Sequence, residues 1–136
     1  MKANELQIGD WVSYKGKMLC KITAICKDMA VVDNDTAQDW RIDYDKLTPI
    51  PLTAEILKQN GFGYVENDVN PYDNEVLSHF YLGEECYCEN MDIHIGTYNK
   101  GVFWFNCPKG SLNGIHYVHQ LQHALRLCNI EKEIEL

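Results

Sequence analysis

At 136 residues, 46% hydrophobic and 24% charged, the chain is long enough for one sizeable core or two small lobes, and disorder is excluded as its default state. No run of about 18 apolar residues occurs, and Met1-Lys-Ala-Asn-Glu-Leu6 lacks the apolar core of a signal peptide, so a cytoplasmic protein with no membrane partner is expected. The net charge of −8 is uneven: residues 1–52 carry seven basic and eight acidic side chains, residues 53–136 five and twelve, which speaks against phosphate binding by the second part.

The first fifty residues read as short strands between turns. Leu6-Gln-Ile8 leads into Gly9-Asp10, Trp11–Tyr14 is extended, and Lys15-Gly16 suits a hairpin turn. Met18–Cys26 alternates as a long strand with Cys20, Ile22, Ala24 and Cys26 inward; Met29–Val32 and Trp40–Tyr44 follow around the turn Asp33–Thr36. Five short strands in so few residues predict a small barrel of SH3-like type over residues 1–52. Lys15, Lys17, Lys21 and Lys27 form a modest basic cluster, the solvated side of a hairpin. Asp33, Asp35 and Asp39 do not form a calcium loop, because Ala37 and Gln38 occupy places that need a ligand and a glycine.

Pro49-Ile-Pro-Leu52 is held extended by its prolines and hands over to residues 53–136, an α+β lobe. Thr53 is a good N-cap, Ala54–Asn60 is helix-compatible with Ile56 and Leu57 inward, and Gly61 suits the C-terminus. Strands are expected at Phe62–Glu66, Val76–Leu82, Cys86–Glu89, Asp92–Tyr98 and Val102–Cys107, with Asn67–Asn74 a loop. Phe103-Trp-Phe105 offers aromatic rings to both faces of this antiparallel sheet, which a C-terminal helix is expected to cover.

That helix is predicted over Ile115–Cys128. Tyr117, Val118, Leu121, Ala124, Leu125 and Cys128 form its apolar stripe, while His116, His119 and His123 stack on the opposite, solvated face. Two or three of these imidazoles make the histidine face the candidate zinc site, although zinc needs three or four ligands and no other cofactor is implied. Leu127 sits among the histidines and leaves room for a partner surface. The tail Ile130–Leu136 is either an edge strand or a frayed end.

Six cysteines in a chain with a fair core do not suggest a disulfide scaffold. Cys20 and Cys26 lie too far apart along one strand to be bridged. Cys86-Tyr-Cys88, joined by Cys107 and Cys128, is a candidate four-thiolate site, though neither C-x-x-C knuckle of a strong zinc signal is present.

Asn4-Glu-Leu-Gln-Ile-Gly-Asp-Trp-Val12, Pro49-Ile-Pro-Leu-Thr-Ala-Glu-Ile-Leu57 with Gly61-Phe62, and Tyr117-Val-His-Gln-Leu-Gln122 together resemble a family of short uncharacterised proteins of gut bacteria and their prophage-like elements. The resemblance touches both ends and the middle of the chain and departs at His123. It implies a bacterial, accessory-element protein and carries no activity or catalytic residue with it.

No nucleotide-binding glycine loop, H-E-x-x-H or G-x-S-x-G occurs. The expected role is therefore a non-catalytic module for a protein partner or self-association, with Trp11, Tyr14, Trp40 and Leu127 as its candidate surface. Nucleic-acid binding by the barrel, with those aromatics stacking on bases beside the lysines, is the alternative; a small metal-dependent hydrolase is a further one.

Overall fold

The structure, a computed structural model, describes residues 1–69, 76–82, 93–98, 102–107 and 109–136. It is α+β, with ten strands in two five-stranded antiparallel sheets and a C-terminal helix. The chain divides into two compact units: Met1–Pro51 with Tyr117–His123 and Leu136, and Leu52–His116 with Ala124–Glu135.

The first unit contains β1 (Trp11–Tyr14), β2 (Met18–Ile25), β3 (Met29–Asp33), β4 (Trp40–Asp43) and β5 (Leu47–Thr48), in the order β4-β3-β2-β1-β5. β4 and β5 are the two edges, yet one 3-10 turn, Tyr44–Lys46, joins them. A flat sheet would hold its outer strands about 19 Å apart, whereas three such residues advance only about 6 Å. The sheet therefore curls into a half-barrel, and Leu6, Val12, Cys20, Ile22, Ala30, Val32, Ile42 and Leu47 fill its inside. The expected hairpin turn is present, with Lys15 and Gly16 at φ 52° and 67°.

Two expectations for this unit need correction. Leu6–Ile8 is not a strand; a 3-10 turn at Ala3–Glu5 and the turn before β1 occupy that region, and Leu47–Thr48 is the fifth strand. Cys26 is exposed rather than inward. Ile22 pairs with Val32 but Ala24 with Val31, so β2 bulges at Thr23, and side chains beyond it lose the parity that keeps Cys20 and Ile22 inside.

In the second unit, α1 (Ala54–Gln59) starts where Thr53 Oγ1 accepts the Ile56 N–H at 3.3 Å, and Leu57 is buried. β6 (Gly63–Val69), β7 (Val76–Leu82), β8 (Ile93–Tyr98), β9 (Val102–Cys107) and β10 (Gly110–Ile115) form a meander in chain order. Phe80, Ile95, Phe103, Phe105 and Ile115 are buried. Trp104 stands directly across from Gly96, and Tyr81 across from Gly63, so each large ring lies where its neighbour has no side chain. The aromatic residue on the second face of β9 is thus accommodated within the sheet.

Ile115 belongs to β10, and the C-terminal helix α2 runs only from Val118 to Leu127. The tail is neither strand nor frayed end: Ile134 is buried, Asn60 Nδ2 donates to the Glu135 carbonyl at 2.9 Å, and the Glu135 N–H returns to Asn60 Oδ1 at 2.8 Å. The loop expected over Asn67–Asn74 begins as strand, since Asn67, Asp68 and Val69 belong to β6; its residues from 70 onward and the expected strand at Cys86–Glu89 lie outside the described residues. No described helix is long and apolar enough to cross a membrane.

Candidate functional site

The candidate site of the first unit is built on the turn before β1 and the opening turns of α2. Gln7, Ile8, Gly9 and Asp10 form a β-turn, closed by the Asp10 N–H on the Gln7 carbonyl at 3.2 Å, with Gly9 at φ 88° where only glycine sits without strain. The Asp10 carboxylate folds back to accept the Gln7 N–H at 2.7 Å and is fully buried. At the head of α2, Tyr117 bridges Pro51, and its N–H donates to the side chain of Gln120, three residues on, as in a capping box. The Val118 N–H donates to the Ile50 carbonyl at 2.9 Å, which fixes the direction of the first helical turn.

Two polar side chains of α2, Gln122 and His123, then meet the turn, and His119 packs against His123. Gln122, 6% exposed, clamps two backbone groups: its Nε2 donates to the Gly9 carbonyl and its Oε1 accepts the Trp11 N–H, both at 3.0 Å. His123 Nε2 pairs with Asp10 Oδ2 at 2.7 Å. His119 is 5% exposed, stacks on Tyr117 with ring centroids 5.8 Å apart, and meets His123 edge-on at 5.7 Å. Burial holds the His119 imidazole below its ordinary value of 6.5; the charges of Asp10 and Glu5 pull it up and His123 pushes it down. Its Nδ1 is buried with no hydrogen-bond partner.

The solvated histidine face expected from the sequence is thus overturned for His119 and His123. Helical periodicity marked the apolar stripe, but His119 and Gln122 are buried as well and His123 is half-buried, with the Gln7–Asp10 turn supplying partners for Gln122 and His123. His116 is exposed and precedes the helix, so the three-imidazole stack does not form. His123 Nε2 is committed to Asp10, and no group of three or more His, Cys, Asp or Glu suited to a metal gathers among the described residues. His116, His119 and His123 are thus not gathered into one ligand group among the described residues.

A cleft of about 410 Å³ opens beside this cluster, lined by Glu5, Pro49, Tyr117, His119, Gln120 and His123 among others. A carboxylate that orients an imidazole is one half of a catalytic base arrangement. Among the described residues its lining includes no serine, threonine or cysteine.

Of the aromatic candidates, the structure brings two together: Tyr14 and Trp40 pack with centroids 4.6 Å apart at the edge of the barrel core. Lys15 Nζ lies 5.2 Å above the Tyr14 ring, and Lys21 Nζ lies 5.9 Å above Trp11. Asn34 builds the β3–β4 hairpin tip by accepting the Thr36 and Ala37 N–H groups at 2.8 and 2.7 Å, and Asp33 accepts the Asp39 N–H at 2.8 Å. That tip and Met18 frame a groove of about 550 Å³, lined also by Trp40 and Arg41. Met18 is exposed there. Sequence reading missed Met18 and Arg41, which strand parity alone does not single out, and Asp10, whose signal was the Gly-Asp pair ahead of an aromatic strand.

In the second unit Leu127 is 70% exposed in the last turn of α2. Cys107 and Cys128 meet, with sulfurs 2.6 Å apart, while Cys86 and Cys88 lie outside the described residues. Comparison of the chain with protein-family models, curated proteins and solved structures finds no match.

Proposed function

We propose that the protein is a non-catalytic interaction module of a bacterial accessory or prophage-like element, which docks an extended segment of a partner protein in the groove beside Trp40. We read its N-terminal half-barrel as SH3-like, on the strength of the 3-10 turn between β4 and β5 and the return of β5 to pair with β1. Ala124 and Leu125, buried in the second unit, are read as part of the cover of its sheet.

The observation that carries the docking role is the composition of the groove. Aromatic Trp40, apolar Met18 and Ala37 and cationic Arg41 line one surface, and Met18 is exposed there. Aromatic and arginine anchors surrounded by apolar contacts are what recognition of an extended peptide uses. Base stacking is less well supported, since Tyr14 and Trp40 turn to each other and lysines cap Tyr14 and Trp11.

Selection of displayed peptides on the intact protein, counter-selected on a Trp40→Ala variant, tests this. Binders are expected to weaken about 30-fold on Trp40→Ala, the equivalent of roughly 2 kcal/mol. Their amide shift changes are expected to map to Met18, Asn34 and the hairpin through Arg41. Shift changes confined to other residues sink the assignment.

A further inference from the structure

We propose that Cys107 and Cys128 are a peroxide-oxidisable dithiol, a modification site in which Cys107 reacts with the oxidant and Cys128 resolves it into a disulfide. Cys107 ends β9, and Cys128 follows the last residue of α2, so two regular elements present the two thiols. Their Sγ atoms are 2.6 Å apart, and a covalent bond at about 2.05 Å needs an approach of only about half an ångström. Asn129, at φ 57°, and the bonds from the Asn129 and Ile130 N–H groups back to Arg126 and Leu125 pin the helix end that carries Cys128.

The environment separates the two roles. Burial raises both thiols, but the hydrogen bond from Cys128 and the N–H groups of Lys109 and Gly110 bring Cys107 below its ordinary value, whereas Cys128 is pushed up to about 11. Lys109 Nζ, 3.5 Å from the Cys128 carbonyl, adds positive charge to the site. Cys107 therefore gives up its proton more readily than Cys128.

In the first step the Cys107 thiolate attacks one peroxide oxygen; the O–O bond breaks, hydroxide leaves and takes a proton to become water, and Cys107 becomes a sulfenic acid. Cys128 sulfur then attacks Cys107 sulfur, the S–O bond breaks, and the departing hydroxide takes the Cys128 proton to leave as water. Two thiols lose two electrons, and one hydrogen peroxide becomes two waters.

The test uses the full chain, reduced, exposed to a few equivalents of hydrogen peroxide, alkylated and digested for mass spectrometry. Expected is a Cys107–Cys128 linked peptide that disappears on reduction and forms at least about tenfold faster than oxidation of Cys26, an exposed single thiol of the same chain. In a Cys128→Ser variant the sulfenic acid persists and is captured on Cys107 by dimedone. The proposal is overturned if Cys107 and Cys128 stay as alkylatable as Cys26 throughout, or if Cys107 links only to another cysteine.

Discussion

Asp10, His119 and Gln122 are polar side chains at positions as buried as the core. A buried carboxylate or amide that loses one partner costs about 1–3 kcal/mol, so Asp10 and Gln122 hold the helix to the turn only while each contact is made. His119 supplies the pH dependence. Its folded form resists protonation because burial disfavours the imidazolium, and the unfolded chain binds the proton near 6.5. Stability from this group is therefore complete above 6.5 and is lost as pH falls from there toward its depressed folded value. Thermal unfolding followed by circular dichroism from pH 7.5 to 5.5 is expected to show a falling melting temperature. In His119→Phe, which fills the ring space without a titrating nitrogen, that fall flattens; an equal slope in both proteins assigns the effect to other groups. None of this was legible from spacing, because a helical wheel sorts side chains by polarity and cannot see a turn more than a hundred residues away offering the matching hydrogen bonds.

The end of α2 rests on Asn129, whose left-handed φ of 57° lets its own N–H and that of Ile130 return to the Arg126 and Leu125 carbonyls at 3.0 Å. A β-branched residue there meets a penalty of about 1–2 kcal/mol, while glycine does not. Asn129→Val is expected to lower the urea midpoint accordingly and Asn129→Gly to keep it, both measured by tryptophan fluorescence; equal midpoints for the two remove the cap from the account. Such local devices are what sequence reading recovers best, as with Thr53 and Gly61 around α1 and the Lys15-Gly16 turn. It fails where pairing overrides pattern. Gly110-Ser-Leu-Asn-Gly-Ile115 shows little alternation and is strand because Cys107, Asn106, Phe105 and Phe103 across from it demand a partner, with a register shift between Leu112 and Ile115. The bulge at Thr23 breaks the parity of β2 in the same non-local way.

Charge is the property that belongs to the chain as a whole, and at −8 it opposes contact with phosphate backbones. The lysines of the N-terminal unit are one counterweight, and several are already employed: Lys15 and Lys21 lie over Tyr14 and Trp11, and Lys46 bonds Asp43. Nucleic-acid affinity at low salt comes from counterions released by cations on phosphates, with each contact steepening the salt dependence. A surface that spends its cations on its own aromatics and carboxylates has few to offer, and base stacking needs ring faces that Tyr14 and Trp40 turn to each other. The intact protein is therefore expected to pass through heparin and single-stranded DNA columns unretained at about 50 mM salt. Retention that falls steeply with added salt and is lost in a Lys15→Glu, Lys21→Glu variant reverses this reading, since it makes the lysines, rather than the groove beside Trp40, the binding surface.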